Sequence, residues 1–494
     1  MQTKWLCILL VFFILTGCSK KENVGPQKNT NTATFSVSGV LQSNMVVQRD
    51  QPFTVWGQAS PNLNLSVNVS WYSTTLNAVA DASGNWKVSI PASAANASPQ
   101  TITIKAAGVS TITLNNVVIG DVWICSGQSN MVFPVDSISP FEGVLNYKAE
   151  IAAANYPLIR TFTVQDDNEA APAIDLALPA KWNVCSPSTV GNVSAVAYYF
   201  AQKLNTTLNI PIGIIISADN GSYCQAWTNA EAIENDVVLS AYYSGGSATL
   251  YNGMINPLTN LAIKGFTWYQ GENNQHDSPV SNYTLLNTAL IKGWRSKFNQ
   301  SAAPFYYVQL TPFAEDYTST TPPGGDPTLD FLAMFREAQA NIRALPGTGM
   351  AVTMDVGEVA NHHPRNKKPV GQRLALLALK NTYNQNVACV GPQYASFSAN
   401  GYTATVNYVA GTADGLTTIN NNPLTQFFFV AGTDHVFRQA QAIIVGSTVV
   451  ITAPQNTPMP IQAIRYAFTN FPVTNLQNSA GLPAEPFRTD NWDN

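Results

Sequence analysis

Histidine is scarce in this sequence, with four in 494 residues, so any chemistry that relies on an imidazole has few positions to choose from. Charge is scarce too: Asp, Glu, Lys and Arg make up 11% of the chain, and the formal net charge is only −4. There is no basic surplus to hold phosphates, which argues against a nucleic acid partner. The six cysteines include no Cys-x-x-Cys pair, a pattern that disfavours a zinc site. Glu272 and His276 alone would supply only two metal ligands, too few for a closed site. The apolar run from Trp5 to Leu15 is shorter than the roughly 20 residues that a membrane-spanning helix requires.

What is present begins with that run. Lys4 precedes it and Thr16, Gly17 and Cys18 follow it, the order of an export signal. Leu15-Thr16-Gly17-Cys18 resembles the lipobox of bacterial lipoproteins. That resemblance implies cleavage of residues 1–17, a diacylglycerol on Cys18 that anchors the chain to a membrane, and a flexible tether over 18–33. The expected location is periplasmic or cell-surface, with a plain secreted protein as the alternative. Cys125, Cys185, Cys224 and Cys389 then remain, and pairing or free burial is equally compatible with a chain of this size.

Length alone predicts two or three packed domains. Residues 34–116 read as short alternating strands broken by turns, as in Phe53-Thr54-Val55-Trp56 before Gly57, and predict a β-sandwich. Over 117–390, continuous apolar runs alternate with helical periodicity and predict an α/β domain with a parallel sheet. The expected strands are Val117 to Cys125, Ile212 to Ile216, Gly265 to Tyr269, Phe305 to Leu310 and Met350 to Met354. The expected helices are Val193 to Leu204, Asn282 to Phe298, Asp330 to Ala344 and Lys367 to Lys380. Thr- and Val-rich strands return over 391–494, predicting a second β-domain.

Ligands of open α/β sheets sit beyond the carboxyl ends of the strands. The first such end reads Cys125-Ser126-Gly127-Gln128-Ser129-Asn130-Met131. A glycine there permits a sharp turn that presents a hydroxyl, which makes Ser129 a candidate nucleophile. Met131 stands where an α/β-hydrolase elbow has its second glycine, so a different serine-hydrolase fold is implied. A serine needs a base, and His362 and His363 follow an expected strand at the same sheet edge. His276 beside Asp277 and His435 beside Asp434 compete with them.

Gly120-Asp121-Val122-Trp123-Ile124-Cys125-Ser126-Gly127-Gln128-Ser129-Asn130-Met131 is similar to the nucleophile block of sialate O-acetylesterase-like proteins, members of the SGNH hydrolases. Similar blocks follow the same order along the chain. They are Asn44-Met45-Val46-Val47-Gln48-Arg49, Trp268-Tyr269-Gln270-Gly271-Glu272-Asn273, Arg336-Glu337-Ala338-Gln339, His363-Pro364-Arg365-Asn366-Lys367 and Gly481-Leu482-Pro483-Ala484-Glu485-Pro486-Phe487. The resemblance implies a flavodoxin-like, three-layer α/β/α catalytic domain and removal of acetyl groups from sugars, with no cofactor. It implies Ser129 as nucleophile and His363, immediately before Pro364, as base. It favours Gly221 and the Gln270-Gly271-Glu272 block around the oxyanion, with a side-chain amide from Gln270 or Asn273 and Glu272 as support. Arg336 is expected to support the site or to pair with a carboxylate on its own helix. SGNH hydrolases commonly carry an Asp three residues before the base, and Ala360 stands there instead. Asp355, Glu358 or a two-residue arrangement remain open for that role. The substrate is expected to be an O-acetylated sialic acid, or else acetylated xylan or xyloglucan. A non-catalytic glycan-binding lipoprotein is the alternative of another class.

Overall fold

The computed structural model describes residues 34–243, 245, 247–313, 325–472 and 474–492. The segments expected to be an export signal and a tether, with Cys18 between them, lie outside the described residues. At the amino-terminal end, strands Phe35–Val37, Phe53–Ala59 and Asn85–Ile90 form a three-stranded sheet. The last of these buries every second residue, as a strand with one wet face must. Asn64–Val69, Tyr72–Val79 and Asn96–Ala106 pair antiparallel beside it. Val55, Val67, Ile90, Ile102 and Ile104 are all fully buried in this β-rich part.

Strand β1, Ile112–Gly127, runs 16 residues from that part into the centre of the molecule. Its first half pairs with Asn96–Ala106 and its second half is the middle of the central sheet. The boundary expected between residues 116 and 117 therefore falls inside one continuous strand. The other strands of the central sheet are β2 (Tyr156–Thr163), β3 (Trp182–Cys185), β4 (Ile212–Ala218), β5 (Gly265–Tyr269), β6 (Phe305–Val308) and β7 (Thr348–Ala351). Their order is β3-β2-β4-β1-β5-β6-β7. Neighbours run parallel except β3, which is antiparallel to β2.

Helices α2 (Ala195–Leu208) and α5 (Lys367–Asn381) pack on each other, and α3 (Asn282–Lys297) packs on α4 (Phe331–Asn341). Successive side chains of a strand point to opposite faces. Accordingly Tyr306 reaches Thr382 at the end of α5, while Tyr307 donates to the Gln339 carbonyl of α4. Phe266 and Trp268 meet Trp294 of α3 edge-on or tilted, a cluster that fills one face with aromatic area. Beyond residue 391 the chain forms a seven-stranded sheet in which every pairing is antiparallel. Cys125, Cys185, Cys224 and Cys389 are all free thiols, the first three buried.

Candidate active site

The parallel register aligns the carboxyl ends of three adjacent strands: Gly127 of β1 stands opposite Ala218 of β4 and Tyr269 of β5. The three loops that leave this row carry Gln128-Ser129, Asp219-Asn220-Gly221 and Gln270 to Gln275. Gly127 has φ of +142°, and a side chain there would overlap the Tyr269 carbonyl, with a Cβ 2.1 Å from its oxygen. Only glycine allows β1 to lie this close and then turn. The Gln128 amide N–H donates to the same carbonyl at 3.0 Å. Ser129 follows as the first residue of a single helical turn, α1 (Ser129–Val132).

The Ser129 hydroxyl lies 2.7 Å from Nε2 of His363, which arrives on the long loop after β7. Burial, then the neighbouring His362 and Lys367 charges, push the His363 imidazole down to about 3 from its ordinary 6.5. The ring is therefore neutral at working pH, the state in which Nε2 can accept a hydroxyl proton. Phe141 sits edge-on against it at 5.3 Å between centroids. The Ser129 and Gly221 backbone N–H groups have no acceptor among the described residues. Gly221 is in the left-handed region (φ +66°), and nothing stands within 4 Å of where a side chain would begin. Two unspent donors beside a hydroxyl–imidazole pair are what an oxyanion intermediate requires.

Both groups open into a cavity of about 340 Å³. Its wall includes Gln128, Phe141, Asn220, Glu272, Phe313 and His362. Behind it lies a cluster of buried polar and ionisable side chains. Lys367, fully buried at the first turn of α5, donates to Oδ1 of Asn130 and stands over the Phe133 and Tyr269 rings at 4.8 and 5.5 Å. Burial brings its ammonium down to about 7. Asn130 in turn donates to Oε1 of Glu272, whose carboxyl is raised by burial, and to the His362 carbonyl at 2.8 Å.

The comparisons with known proteins bear on this geometry. The family described as carbohydrate esterase, sialic acid-specific acetylesterase matches residues 119–380. The chain belongs to that family. Human sialate O-acetylesterase is 26% identical over 92% of this chain and 92% of its own, and the mouse protein 25% identical over 97% of each. A carbohydrate acetylesterase from Xanthomonas citri, solved by crystallography, is 33% identical and superposes with a TM-score of 0.82 over 92% of this chain and 100% of that one. The carbohydrate esterase fold, with its mixed central sheet and additional β-rich parts, is thus common to both.

Within this esterase family the expected site residues separate into two groups. Ser129, His363, Gly221, Asn273 and Glu272 all meet at the cavity. Asn273 braces it, since its amide donates to the Gly221 carbonyl and fixes that turn. Gln270 does not face the cavity. It is fully buried, donates to Asn274 and to the Ser222 carbonyl, and accepts from Tyr283, so its amide is spent on holding loops together. Asp355 is likewise corrected: both its oxygens take a two-pronged ion pair from Arg373 at 2.7 and 2.6 Å. Glu358 accepts from the Asn361 side chain and the Arg365 backbone and so staples the His363 loop rather than the ring. Among the described residues no carboxylate reaches the His363 imidazole. Arg336 pairs with no carboxylate of its own helix; it donates to the carbonyls of Leu310, Thr311, Thr469 and Asn470. The competing histidines are elsewhere, His276 stacked on Phe331 and His435 stacked on Trp492. Asn130 and Lys367 stood inside the family-like blocks, yet only the fold reveals that they meet.

Proposed function

We propose that the protein hydrolyses O-acetyl esters on sugars with Ser129 as nucleophile and His363 as general base. The observation that carries this reading is the 2.7 Å contact between the Ser129 hydroxyl and Nε2 of a neutral imidazole at the floor of an open cavity. Nε2 takes the hydroxyl proton as Oγ attacks the acetyl carbonyl, and the N–H groups of Ser129 and Gly221 receive the oxyanion. On collapse, the imidazolium returns the proton to the departing sugar oxygen, and the acetyl group stays on Ser129. Water, deprotonated by the same imidazole, then releases acetate. With no carboxylate among the described residues on the ring, the imidazolium is stabilised less than in a full triad. We read the catalytic part as an SGNH-type, three-layer fold; the parallel sheet with helices reached from both faces supports this. Export and lipid anchoring on Cys18 rest on residues 4–18 alone.

The names of the relatives favour a sialate ester. The cavity wall favours a neutral sugar, because its described residues include Glu272 and no Lys or Arg to meet a sialate carboxylate. The test is acetate release by wild type and Ser129→Ala from acetylated sialic acid, acetylated xylo-oligosaccharide and an aryl acetate. Wild type is expected to turn over at least one sugar ester, and the variant to lose a factor on the order of 10³ or more. Equal release by the two proteins would remove Ser129 from its role, and no release by either would favour a glycan-binding protein.

A further inference from the structure

A second cavity of about 460 Å³ adjoins the first. Gln275 lines both, so one side chain forms the wall between them. Both volumes fall in the range of ligand cavities, roughly 300–1,000 Å³. The loop that carries Gln275 is held firmly. Asn274 beside it accepts from the Cys224 amide and from Gln270 and donates to Gln225 and Asp277. Gln275 itself is 4% exposed, and its Oε1 has no hydrogen-bond partner. An amide left unsatisfied in a wall costs free energy unless something on one side of the wall completes it.

The second cavity offers aromatic faces to a ring. His276 and Phe331 lie against each other at 5.4 Å and 25°, and Phe331 keeps 39% of its surface exposed. Trp492 contributes from the carboxyl-terminal part, its own ring fixed by stacking on His435. Flat, rigid aromatic rings suit the apolar face of a pyranose. The acidic side chains in the described wall are Asp277 and Asp330, and the described wall includes no Lys or Arg. Arg465, which reaches Asp330, is fully buried and already paired with Asp330 and Asp490.

Resting on the esterase reading above, we infer that the substrate is a neutral O-acetylated oligosaccharide whose acetylated unit sits over Ser129 and whose neighbouring unit sits in the His276–Phe331–Trp492 cavity, with the Gln275 amide between them. Among the described lining residues an anionic sugar would meet acidic side chains in both cavities and no Lys or Arg. The experiment compares kcat/KM for acetylated xylotetraose, a mono-acetylated methyl xyloside and O-acetylated sialic acid in wild type, Phe331→Ala and His276→Ala. Wild type is expected to favour the tetrasaccharide over the methyl xyloside by about tenfold or more, mostly through KM. That ratio should fall toward one in Phe331→Ala, and His276→Ala should lower it if Phe331→Ala does not fold. A wild-type ratio near one, a ratio unchanged in the folded variants, or preferential turnover of the sialate ester would overturn the inference while leaving the esterase reading intact. No turnover of these esters or of an aryl acetate by wild type would overturn both.

Discussion

Asn130 sits beside the nucleophile in the chain and beside the base in space. One amide donates to the His362 carbonyl and to Glu272 and accepts from Lys367, so it ties the α1 turn to the loop that carries His363. With no carboxylate among the described residues on the imidazole, this tie and the Asn361 contact to the His363 N–H fix the base. Asn130→Asp keeps the acceptor for Lys367 but loses both donors. It is expected to lower kcat by roughly ten- to a hundredfold with little change in KM, a split that simple loss of folded protein would not give. The pH profile follows from the same centre. The His363 pKa is depressed from 6.5 to about 3, so the native state binds fewer protons than the unfolded chain between those values. The contribution of His363 to stability is therefore complete above 6.5 and declines as pH falls through that window, whereas in the native state the base stays deprotonated until pH nears its depressed value. The acid limb of kcat/KM should lie well below 6.5, and Lys367→Met should move it upward, because the Lys367 charge is one cause of the depression. A limb at 6.5 in wild type would show that His363 is solvated as it works. The sequence made Ser129 and His363 legible as residues of a recognisable block. It left the third position open because Asp355 and Glu358 differ only in what they meet, Arg373 of α5 for the first and Asn361 and the Arg365 backbone of its own loop for the second.

The elements that were easiest to read are those whose surroundings are uniform. β4 and β5 are buried along their whole length and appear as unbroken apolar runs. β2 and β3 escaped the reading: β2 contains Pro157 and the buried Arg160, and β3 is four residues long with two only half-buried. β6 and β7 stop earlier than expected, at Val308 and Ala351, because the residues after them leave the ladder to build the loops around the site. A constraint that bears directly on the site is at the end of β1. Gly127→Ala places a methyl group in the Tyr269 carbonyl and forces an alanine to φ +142°. β1 and β5 would have to separate at the row that presents Ser129, Gly221 and Gln270. A loss of about 2–4 kcal/mol in urea unfolding is expected, together with loss of activity at temperatures where the variant is still folded. Gly221→Ala meets open space, so its cost is confined to the strain of a left-handed alanine, about 1 kcal/mol. Comparing the two variants separates close approach from conformation.

At the scale of the whole molecule, the carboxyl-terminal part is bound to the catalytic part through helix α4 and the turn after it. Arg488 pairs with Glu337, Arg465 with Asp330 at the start of the helix, and Glu485 with Arg343 just beyond it. Between them Arg336 lies fully buried, with its guanidinium shared between carbonyls that follow β6, Leu310 and Thr311, and carbonyls of the carboxyl-terminal part, Thr469 and Asn470. Burial lowers its pKa to about 9. Composition could indicate a β-rich part at each end, but not that one arginine would be spent on four carbonyls between two parts, since carbonyls leave no mark in a sequence. A guanidinium suits this task because its donors point in several directions from one plane. Arg336→Met keeps much of the volume and removes every donor, leaving four carbonyls without their guanidinium partner. The expected cost is about 2–4 kcal/mol. Because the bonds cross between parts, the loss should appear as more than a lower midpoint. If the two parts unfold as one unit in wild type, calorimetry of Arg336→Met should show the single transition broadening or dividing, with the carboxyl-terminal sheet melting first. A single sharp transition at a lower temperature would instead mean that the ion pairs of Arg488, Arg465 and Glu485 are sufficient to keep the parts coupled.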